Sequence, residues 1–280
     1  FLKNGCKIYE LDFDRHSINP IKELRTFYQL LKIYNKIKPD ITFNFTIKPN
    51  IYGSIISRFL KIYSINNITG MGYFFFKKGF IKFFLILLYK ISIKKSYHNF
   101  FHNKEDAKYF LEKKLIFVNN YTIIPGSGID FNYYKFCKYP ENLYVKFLFI
   151  GRLIKEKGIY EFLNTAKEIK KSKHNCEFFI LGNTDGNSKS NVSIDLINSL
   201  HNKKIIQYLG EKDDIRSVIE KIDVVVLPSY REGVSHSLLE ACSMGRPIIS
   251  TNIPGNNEIL IENYNGFSCE VKNVSSLINA

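Results

Sequence analysis

The chain has 280 residues, a length that allows a large core and suits two domains of roughly 100–200 residues each. Hydrophobic residues make up 45% of it and charged residues 24%, proportions that are ordinary for a soluble globular protein. The five cysteines are scattered without a C-x-x-C pair, which argues against a disulfide framework or a structural zinc site and fits a reducing cytoplasm.

The net charge of +14 belongs entirely to the first half of the chain. Residues 1–140 carry 23 Lys and Arg against 9 Asp and Glu, whereas residues 141–280 carry 17 of each. Between Asp40 and Glu105 the chain has ten basic side chains and no acidic one. An AT-rich genome over-supplies lysine, but it does not remove acids from one half only. The first half therefore predicts an anionic partner, such as membrane headgroups, nucleic acid or a phosphorylated acceptor.

Strands and helices alternate in the predicted first half. The predicted strands are Lys7–Leu11, Ile41–Phe45, a strand that includes Phe100–Phe101, and Tyr121–Ile124. The predicted helices are Pro20–Lys38, Ile51–Ile62 and Lys104–Lys113, with Asn103 as the cap of the last. The sequence leads straight into a strand without a secretory signal, and it does not begin with Met, so we expect its start to be missing.

The segment Gly79–Ile93 combines apolar bulk with lysines at both ends. Phe83–Tyr89 is an uninterrupted apolar run, whereas a helix that crosses a bilayer needs about 20 apolar residues. One interpretation is a buried helix of the first domain, and the other is a helix that lies in a membrane interface. Because the whole first half is basic, we favour a membrane contact. The flanking basic residues are Lys77, Lys78, Lys82, Lys90, Lys94 and Lys95.

After a polar link at Asp130–Asn142 the alternation restarts, which divides the chain into predicted domains 1–138 and 139–280. The strands of the second half are predicted at Val145–Ile150, Glu177–Leu181, Ile205–Leu209, Val224–Leu227 and Ile248–Ser250. Its helices are predicted at Gly158–Lys171, Val192–Leu200, Ile215–Lys221 and Ser237–Ser243. Short apolar strands that alternate with such helices predict parallel sheets covered on both faces. We therefore expect an α/β chain of two doubly wound, Rossmann-like domains that face one another across a cleft.

The first candidate site lies in residues 227–241, where a predicted strand, a loop and the start of a helix follow one another. The amino end of a helix holds phosphate through backbone N–H groups and its dipole, and Gly233 lets a ligand approach the backbone. Glu232 in the loop and Glu240 in the helix flank that position, and carboxylates accept hydrogen bonds from sugar hydroxyls. A capped helix with a solvated glutamate would give the same pattern.

The second candidate site is the stretch 151–158, which comes directly after the predicted strand Val145–Ile150. Arg152 and Lys157 then lie at the carboxyl end of that strand, where a ligand is expected. Arginine offers a planar fork for phosphate and lysine a mobile point charge, so the two could neutralise a pyrophosphate. A basic, solvated turn is the alternative interpretation.

These motifs, taken in this order, resemble the retaining glycosyltransferases of family four, which have the two-domain GT-B fold. The resemblance rests on Gly151-Arg152-Leu153, Lys157-Gly158, Glu232-Gly233, Glu240-Ala241 and Gly245-Arg246-Pro247-Ile248, with support from Gly126-Ser127-Gly128-Ile129-Asp130 and Asn265-Gly266-Phe267. Within the family, three stretches are similar to enzymes that build O-antigen or capsule repeats on a lipid carrier. They are Thr46-Ile47-Lys48-Pro49, Ile68-Thr69-Gly70-Met71-Gly72 and Phe101-His102-Asn103-Lys104-Glu105-Asp106. The family's first strand with its Gly-rich loop and its final helix are not in this sequence, so we expect the first domain and the C-terminal helix to be incomplete.

The resemblance implies a donor site in the second half. Arg152 and Lys157 would bind the donor diphosphate, Glu232 the hydroxyls of the donor sugar, and Glu240 the ribose. The catalytic candidates are thus Glu232, Arg152 and Lys157. The donor-binding candidates are Gly151, Arg152, Lys157, Glu232, Gly233, Val234, Ser235, Leu238 and Glu240.

The resemblance also implies hexosyl transfer with retention of configuration and no placed protein nucleophile. No metal or other cofactor is expected, because the cations and the helix end would stabilise the departing diphosphate. The implied partners are a nucleotide-sugar donor (UDP-N-acetylhexosamine or UDP-hexose), a lipid-diphosphate-linked saccharide acceptor and an anionic membrane surface. The expected location is cytoplasmic, peripheral on the inner face of the plasma membrane. We expect no nucleic-acid partner, since no known RNA or DNA module is recognisable.

Two other functions stay open at this point. A glycoside hydrolase could use Glu232 and Glu240 as acid and base or nucleophile, but it would leave Arg152 and Lys157 without a role. A catalytically silent subunit, bound to a glycosyltransferase or a membrane, would fit the incomplete ends. The complete set of two cations and two glutamates argues against it.

Two further patterns imitate metal sites weakly. Asp12-Phe13-Asp14 has the D-x-D form, but it lies in a first-half loop, away from the donor motifs. His98 and His102 have a zinc spacing for a helix, but the residues between them are predicted as strand, so we predict structural roles. His236, near the predicted phosphate site, is either a donor to phosphate or a surface residue.

Overall fold

The computed structural model describes residues 5–13, 19–71, 80–172, 174–186, 188 and 190–280, without the side chains of residues 80 and 81. The chain splits into two compact units, Phe1–Ile124 and Pro125–Ala280. Each unit is built on a parallel sheet. Five residues of the sequence patterns lie outside the described ones: Asp14, Gly72, Lys77, Lys78 and Gly79.

Within the described part of the first unit, four helices alternate with four strands. The helices are α1 (Pro20–Ile37), α2 (Ile47–Phe59), α3 (Phe80–Ser92) and α4 (Lys104–Glu112). The strands are β1 (Ile41–Phe45), β2 (Tyr63–Ile68), β3 (His98–Phe101) and β4 (Tyr121–Ile123). They pair in parallel in the order β1-β2-β3-β4. The predicted cap is confirmed, because the Asn103 side chain accepts a hydrogen bond from the Asp106 N–H at 2.8 Å.

The predicted strand Lys7–Leu11 is wrong. It pairs with none of the described strands, and its residues are exposed up to Glu10. The backbone just after it turns to α1 instead, since the Thr26 hydroxyl donates to the Asp12 carbonyl at 2.9 Å. Apolar alternation alone therefore predicted a strand that finds no partner edge.

Strand β2 is polar in sequence, and its buried face is held by amide side chains. Asn44, Asn66 and Asn99 occupy paired positions on β1, β2 and β3. Asn44 Nδ2 donates to Asn66 Oδ1 at 3.0 Å, and Asn66 Nδ2 donates to Asn99 Oδ1 at 3.0 Å. All three are at most 4% exposed, so this ladder satisfies polar groups that would otherwise be costly to bury.

Helix α3 has one face in the core and one in solvent. Tyr89 is fully buried, with its ring edge-on to Phe110 at a centroid distance of 5.2 Å. The opposite face carries four large apolar side chains that are 41–65% exposed: Phe83, Phe84, Leu87 and Ile91. The buried-helix interpretation therefore holds for one face only. Among the described helices, none is both long and apolar enough to cross a membrane.

The described residues of the second unit form six α-helices, six strands and a short 3-10 helix at Lys155–Lys157. The strands are β5 (Val145–Ile150), β6 (Cys176–Leu181), β7 (Gln207–Tyr208), β8 (Val224–Leu227), β9 (Ile248–Thr251) and β10 (Gly266–Cys269). The helices are α5 (Ile159–Lys171), α6 (Ile194–Asn202), α7 (Arg216–Ile219), α8 (His236–Ser243), α9 (Pro254–Asn257) and α10 (Val274–Asn279). The strand order is β10-β9-β8-β5-β6-β7, so the winding reverses between β5 and β8. This doubly wound sheet is the predicted fold class.

The second unit begins at Pro125, 14 residues before the predicted start of the second domain at residue 139. Two residues of the second unit attach the intervening segment by donating hydrogen bonds to its backbone carbonyls. The Ser243 hydroxyl donates to the Tyr134 carbonyl at 2.6 Å, and Arg246 Nη2 donates to the Lys138 carbonyl at 2.8 Å. Arg246 is 1% exposed, and its guanidinium also donates to carbonyls beyond α7 and at Cys137. Tyr134 and Cys137 of this segment also pack against the apolar core of the second unit, so both backbone carbonyls and side chains attach it.

Candidate active site

The two predicted site loops leave adjacent strands at the same edge of the sheet. Gly151 and Arg152 follow β5, and Pro228 follows β8. These strands pair in parallel, with Phe147 opposite Val224. Because the winding reverses between them, their carboxyl ends flank the switch point at which open α/β sheets bind ligands.

The loop after β8 is fastened to the turn that precedes α5. The Tyr230 N–H donates to the Glu156 carbonyl at 2.8 Å. At Gly158 the backbone has φ +75°, and an added Cβ would lie 2.0 Å from the Pro228 carbonyl oxygen. Only glycine permits both this conformation and this approach. The sequence motif Lys157-Gly158 therefore owes its glycine to contact between the two loops.

Tyr230 is a second fastening point. Its hydroxyl donates to Glu161 Oε1 on α5 at 2.8 Å. Burial and this bond to a carboxylate raise the pKa of Tyr230 well above its usual value. The phenol therefore stays protonated and keeps donating, which fixes the start of the loop that carries Glu232.

Lys157 and Glu232 meet at the centre of the site. Lys157 Nζ lies 2.5 Å from Glu232 Oε1, and the Ser229 hydroxyl donates to the same oxygen at 2.7 Å. The side chains are only 20% and 11% exposed, so water screens this pair weakly. The resemblance implied different parts of the donor for these two residues, and the structure brings them into direct contact.

Arg152 is paired with an acid that the sequence interpretation missed. Its Nη1 forms an ion pair with Asp185 Oδ2, on the loop after β6. The Arg152 side chain is 52% exposed and that of Asp185 19%. Asp185 belongs to no short motif, and only the pairing of β5 with β6 places the two loops together. The single sequence signal was its position just beyond a predicted strand.

The start of α8 offers mainly backbone to a ligand. Ser235 is the N-cap residue but makes no side-chain cap, and its hydroxyl lies 3.1 Å from that of Ser237. Leu238 is fully buried, so its side chain belongs to the core. The Val234 side chain packs close to Gly126. The backbone N–H groups of this first turn thus form the phosphate-binding part of the predicted set.

Gly233 lies where two loops touch. A Cβ added to Gly255 would come within 1.9 Å of the Gly233 carbonyl oxygen. The start of α9 therefore supports the turn before α8 from behind, backbone against backbone. This contact leaves the loop little freedom to change its path.

Glu240 lies on α8 with 12% of its side chain exposed. His236 Nδ1 lies 3.3 Å from its Oε1, and the His236 side chain is 54% exposed. Burial, together with the neighbouring Glu240 carboxylate, raises the pKa of Tyr134. His236 therefore contacts the glutamate, and the second predicted carboxylate has neighbours of its own, separate from the Lys157–Glu232 pair.

The metal-like patterns do not assemble in the described residues. No group of three or more His, Cys, Asp or Glu side chains is arranged there to hold a metal. Asp12 Oδ2 instead lies 3.3 Å from Arg25 Nη1, and His98 Nε2 lies 2.9 Å from the Thr122 hydroxyl. His102 is 3% exposed at the end of β3.

The site can bind an anionic, hydroxyl-bearing ligand. Two cations, Arg152 and Lys157, stand at the carboxyl end of β5, and the amino end of α8 follows β8. Two carboxylates, Glu232 and Glu240, are positioned to accept hydrogen bonds from hydroxyl groups. Phosphate at the cations and hydroxyls at the carboxylates are the chemical parts of a nucleotide sugar.

Comparison with known families supports this chemistry. Residues 140–280 match the family of glycosyl transferases group 1, and residues 2–103 match the glycosyl transferase 4-like family. The first match covers half of the chain, and the chain belongs to the group 1 glycosyl transferases. The resemblance found in the motifs is thereby confirmed.

Two curated relatives act on lipid-linked substrates by name. The N,N'-diacetylbacillosaminyl-diphospho-undecaprenol alpha-1,3-N-acetylgalactosaminyltransferase of Campylobacter jejuni is 29% identical, over 98% of this chain and 75% of its own. The UDP-Gal:alpha-D-GlcNAc-diphosphoundecaprenol alpha-1,3-galactosyltransferase of Escherichia coli is 27% identical, over 94% of this chain and 71% of its own.

Solved structures show the same fold at low identity. Anabaena HepE, solved with UDP-glucose, superposes with a TM-score of 0.75 at 15% identity, over 93% of this chain and 72% of its own. Sucrose-phosphate synthase of Thermosynechococcus elongatus gives 0.77 at 15% identity, over 96% and 71%. The fold is GT-B, as predicted.

Proposed function

We propose that this chain transfers a hexosyl or N-acetylhexosaminyl group from a UDP-sugar to a lipid-diphosphate-linked saccharide, with retention of configuration. The observation that carries the proposal is the meeting of Arg152, Lys157, Glu232 and the amino end of α8 at the switch point of the second sheet. The names of the Campylobacter and Escherichia relatives support the acceptor class and a role in polysaccharide synthesis.

In this proposal the second unit binds the donor. Arg152, Lys157 and the first N–H groups of α8 hold the diphosphate, and Glu240 accepts hydrogen bonds from the ribose. Glu232 binds hydroxyls of the sugar, so its hydrogen bond to Lys157 is replaced by hydrogen bonds from those hydroxyls. No metal is required, because the two cations and the helix end stabilise the negative charge on the leaving group.

The reaction breaks the bond between the anomeric carbon and the β-phosphate oxygen of the donor. The electron pair leaves with UDP, and the acceptor hydroxyl oxygen bonds to the anomeric carbon from the same face while its proton passes to the departing phosphate oxygen. Retention then needs no covalent intermediate on the protein. The contribution of the site is electrostatic and positional, and it is greatest as charge develops on the diphosphate.

The acceptor is anchored in a membrane by its lipid, so the enzyme has to work at the membrane surface. The exposed face of α3 suits this task, since four large apolar side chains lie on a helix with Lys82, Lys90, Lys94 and Lys95 on or just beyond it. The basic first half adds attraction to anionic lipid. We therefore place the protein peripherally on the inner face of the plasma membrane.

The test is transfer by the full-length protein, with a panel of UDP-sugars and undecaprenyl-diphosphate-linked saccharides as substrates. We expect a lipid-linked product whose new anomeric centre, read by NMR, has the configuration of the donor. Arg152→Ala combined with Lys157→Ala should abolish transfer and UDP binding together. Release of free sugar without acceptor would indicate a hydrolase instead, and failure of the native protein to bind UDP would indicate a silent subunit.

A further inference from the structure

The loop after β6 brings a third acid to the edge of the donor site. β6 lies next to β5 in the sheet, and Asp185 follows it as Arg152 follows β5. The two side chains form an ion pair between Asp185 Oδ2 and Arg152 Nη1. No role in the proposed reaction has yet been given to Asp185.

Asp185 is held more firmly than its partner. Its own N–H donates to Asn191 Oδ1 at 2.9 Å. Its loop is tied to the loop of Arg152 by backbone bonds, from the Leu153 N–H to the Asn183 carbonyl and from the Lys155 N–H to the Ser190 carbonyl, both 2.8 Å. The backbone of Asp185 is therefore anchored beside the Arg152 loop, and its carboxylate can orient the long, half-exposed arginine side chain.

We propose that Asp185 is a positioning residue for the donor diphosphate, acting only through Arg152. This rests on the proposed function, in which Arg152 binds that diphosphate. A guanidinium group has five N–H donors in a rigid fork, so one can stay on Asp185 while the others face phosphate. Asp185 thus selects one orientation of the fork before the ligand arrives, and the ligand need not restrict a freely rotating side chain.

The carboxylate also repels phosphate, and the structure indicates which effect prevails. Asp185 is in contact with the Arg152 cation, so the pair is neutral as a whole and its exposed end is the arginine. Asp185→Asn keeps the shape but weakens the bond that fixes the fork. UDP binding should therefore become weaker in that variant, although a negative charge has been removed.

The experiment is calorimetry with UDP on the full chain, for the native protein, Asp185→Asn, Arg152→Ala and the double variant. Asp185→Asn should raise the dissociation constant roughly three- to tenfold, in the range of coupling between contacting groups. In the Arg152→Ala background it should change nothing further. Asp195→Asn, on the exposed start of α6, removes the same charge from the same unit and should leave UDP binding unchanged.

A second background separates orientation from folding. In Arg152→Lys the cation is a point charge that needs little orientation, so adding Asp185→Asn should cost less there than in the native protein. If Asp185→Asn binds UDP more tightly, Asp185 competes with phosphate for Arg152. If UDP binding is unchanged, Asp185 has no role. Either result overturns the inference. An equal loss in all backgrounds would indicate a damaged loop and also overturns it. If the native chain does not bind UDP, the proposed function fails first and the inference with it.

Discussion

Glu232→Gln should tighten the binding of UDP while it slows sugar transfer. Glu232 is paired with Lys157, with 2.5 Å between Oε1 and Nζ. A diphosphate that takes Lys157 has to displace this carboxylate and then lie near its charge. Glutamine is a neutral acceptor of nearly the same shape, so the substitution releases the lysine without opening a cavity.

The size of the effect follows from the change in one hydrogen bond. A bond to a charged group contributes about 1.5–3 kcal/mol, and charge assistance accounts for roughly half of its strength. Releasing Lys157 from Glu232 should therefore favour UDP by about 0.8–1.5 kcal/mol, or roughly four- to thirteenfold in the dissociation constant. Partial burial of both side chains means that solvent reduces this little.

Transfer should respond in the opposite direction. The amide loses its charge-assisted bond to a sugar hydroxyl, which should lower kcat roughly ten- to 150-fold with little change in KM. Glu240→Gln is the matched control, because ribose is present in UDP and in the intact donor. It should weaken both ligands alike. The assay is a pair of titrations, with UDP and with intact donor, on both variants. The reasoning is refuted if Glu232→Gln weakens UDP binding as much as Glu240→Gln does.

Three further predictions concern the fold and the membrane. Gly158→Ala should lower the free energy of unfolding by about 1–3 kcal/mol in urea and weaken UDP binding, because the added methyl group would clash with the loop after β8. Gly128→Ala is the control: Gly128 has the same φ of +75°, but no atom lies within 4 Å of the added methyl group, so UDP binding should be unchanged. Burial lowers the pKa of His102, so the unfolded chain takes up a proton first as the pH falls below about 6.5. Stability should then decrease from pH 7.5 to 5.5 in the native protein and decrease less in His102→Gln, and parallel curves would contradict this. Replacing Phe83 and Leu87 of α3 with Asn should release the protein from anionic vesicles in a sedimentation assay, and a native protein that stays in the supernatant at low salt would refute the membrane contact.

The sequence predicted the strands that matter to the site almost without error. β8 is a short, wholly apolar run, and β5 is apolar apart from Lys146; the observed bounds of both strands equal the predicted ones. Runs of this kind are buried on both faces, so neighbouring chemistry has to stand at their ends. For this reason the loops that carry Arg152 and Glu232 could be placed at one edge before the topology was known.

Polar strands and through-space pairs could not be predicted in the same way. Strand β2 was not predicted because its buried positions include Ser64 and Asn66, whose burial depends on amide partners in other strands. Asp185 was not predicted as a site residue because its partner, Arg152, is 33 residues away in the sequence. Only the pairing of β5 with β6 brings their loops together. Side-chain periodicity indicates burial against apolar neighbours, and it carries no information about amide ladders between strands or ion pairs between loops.

Removing one negative charge from each of the two ion pairs of the site should change UDP affinity in opposite directions. Arg152 can keep Asp185 and still offer N–H groups to phosphate, because its donors are spread over a planar fork. Lys157 is a point charge, and the oxygen it faces belongs to a side chain that must itself turn to the sugar. Removing one negative charge at Asp185 should therefore loosen UDP, whereas removing one at Glu232 should tighten it. A purely electrostatic site would tighten in both variants, and a site damaged by any substitution would loosen in both. Titration of the two variants side by side at two salt concentrations thus separates an oriented site from a merely positive one.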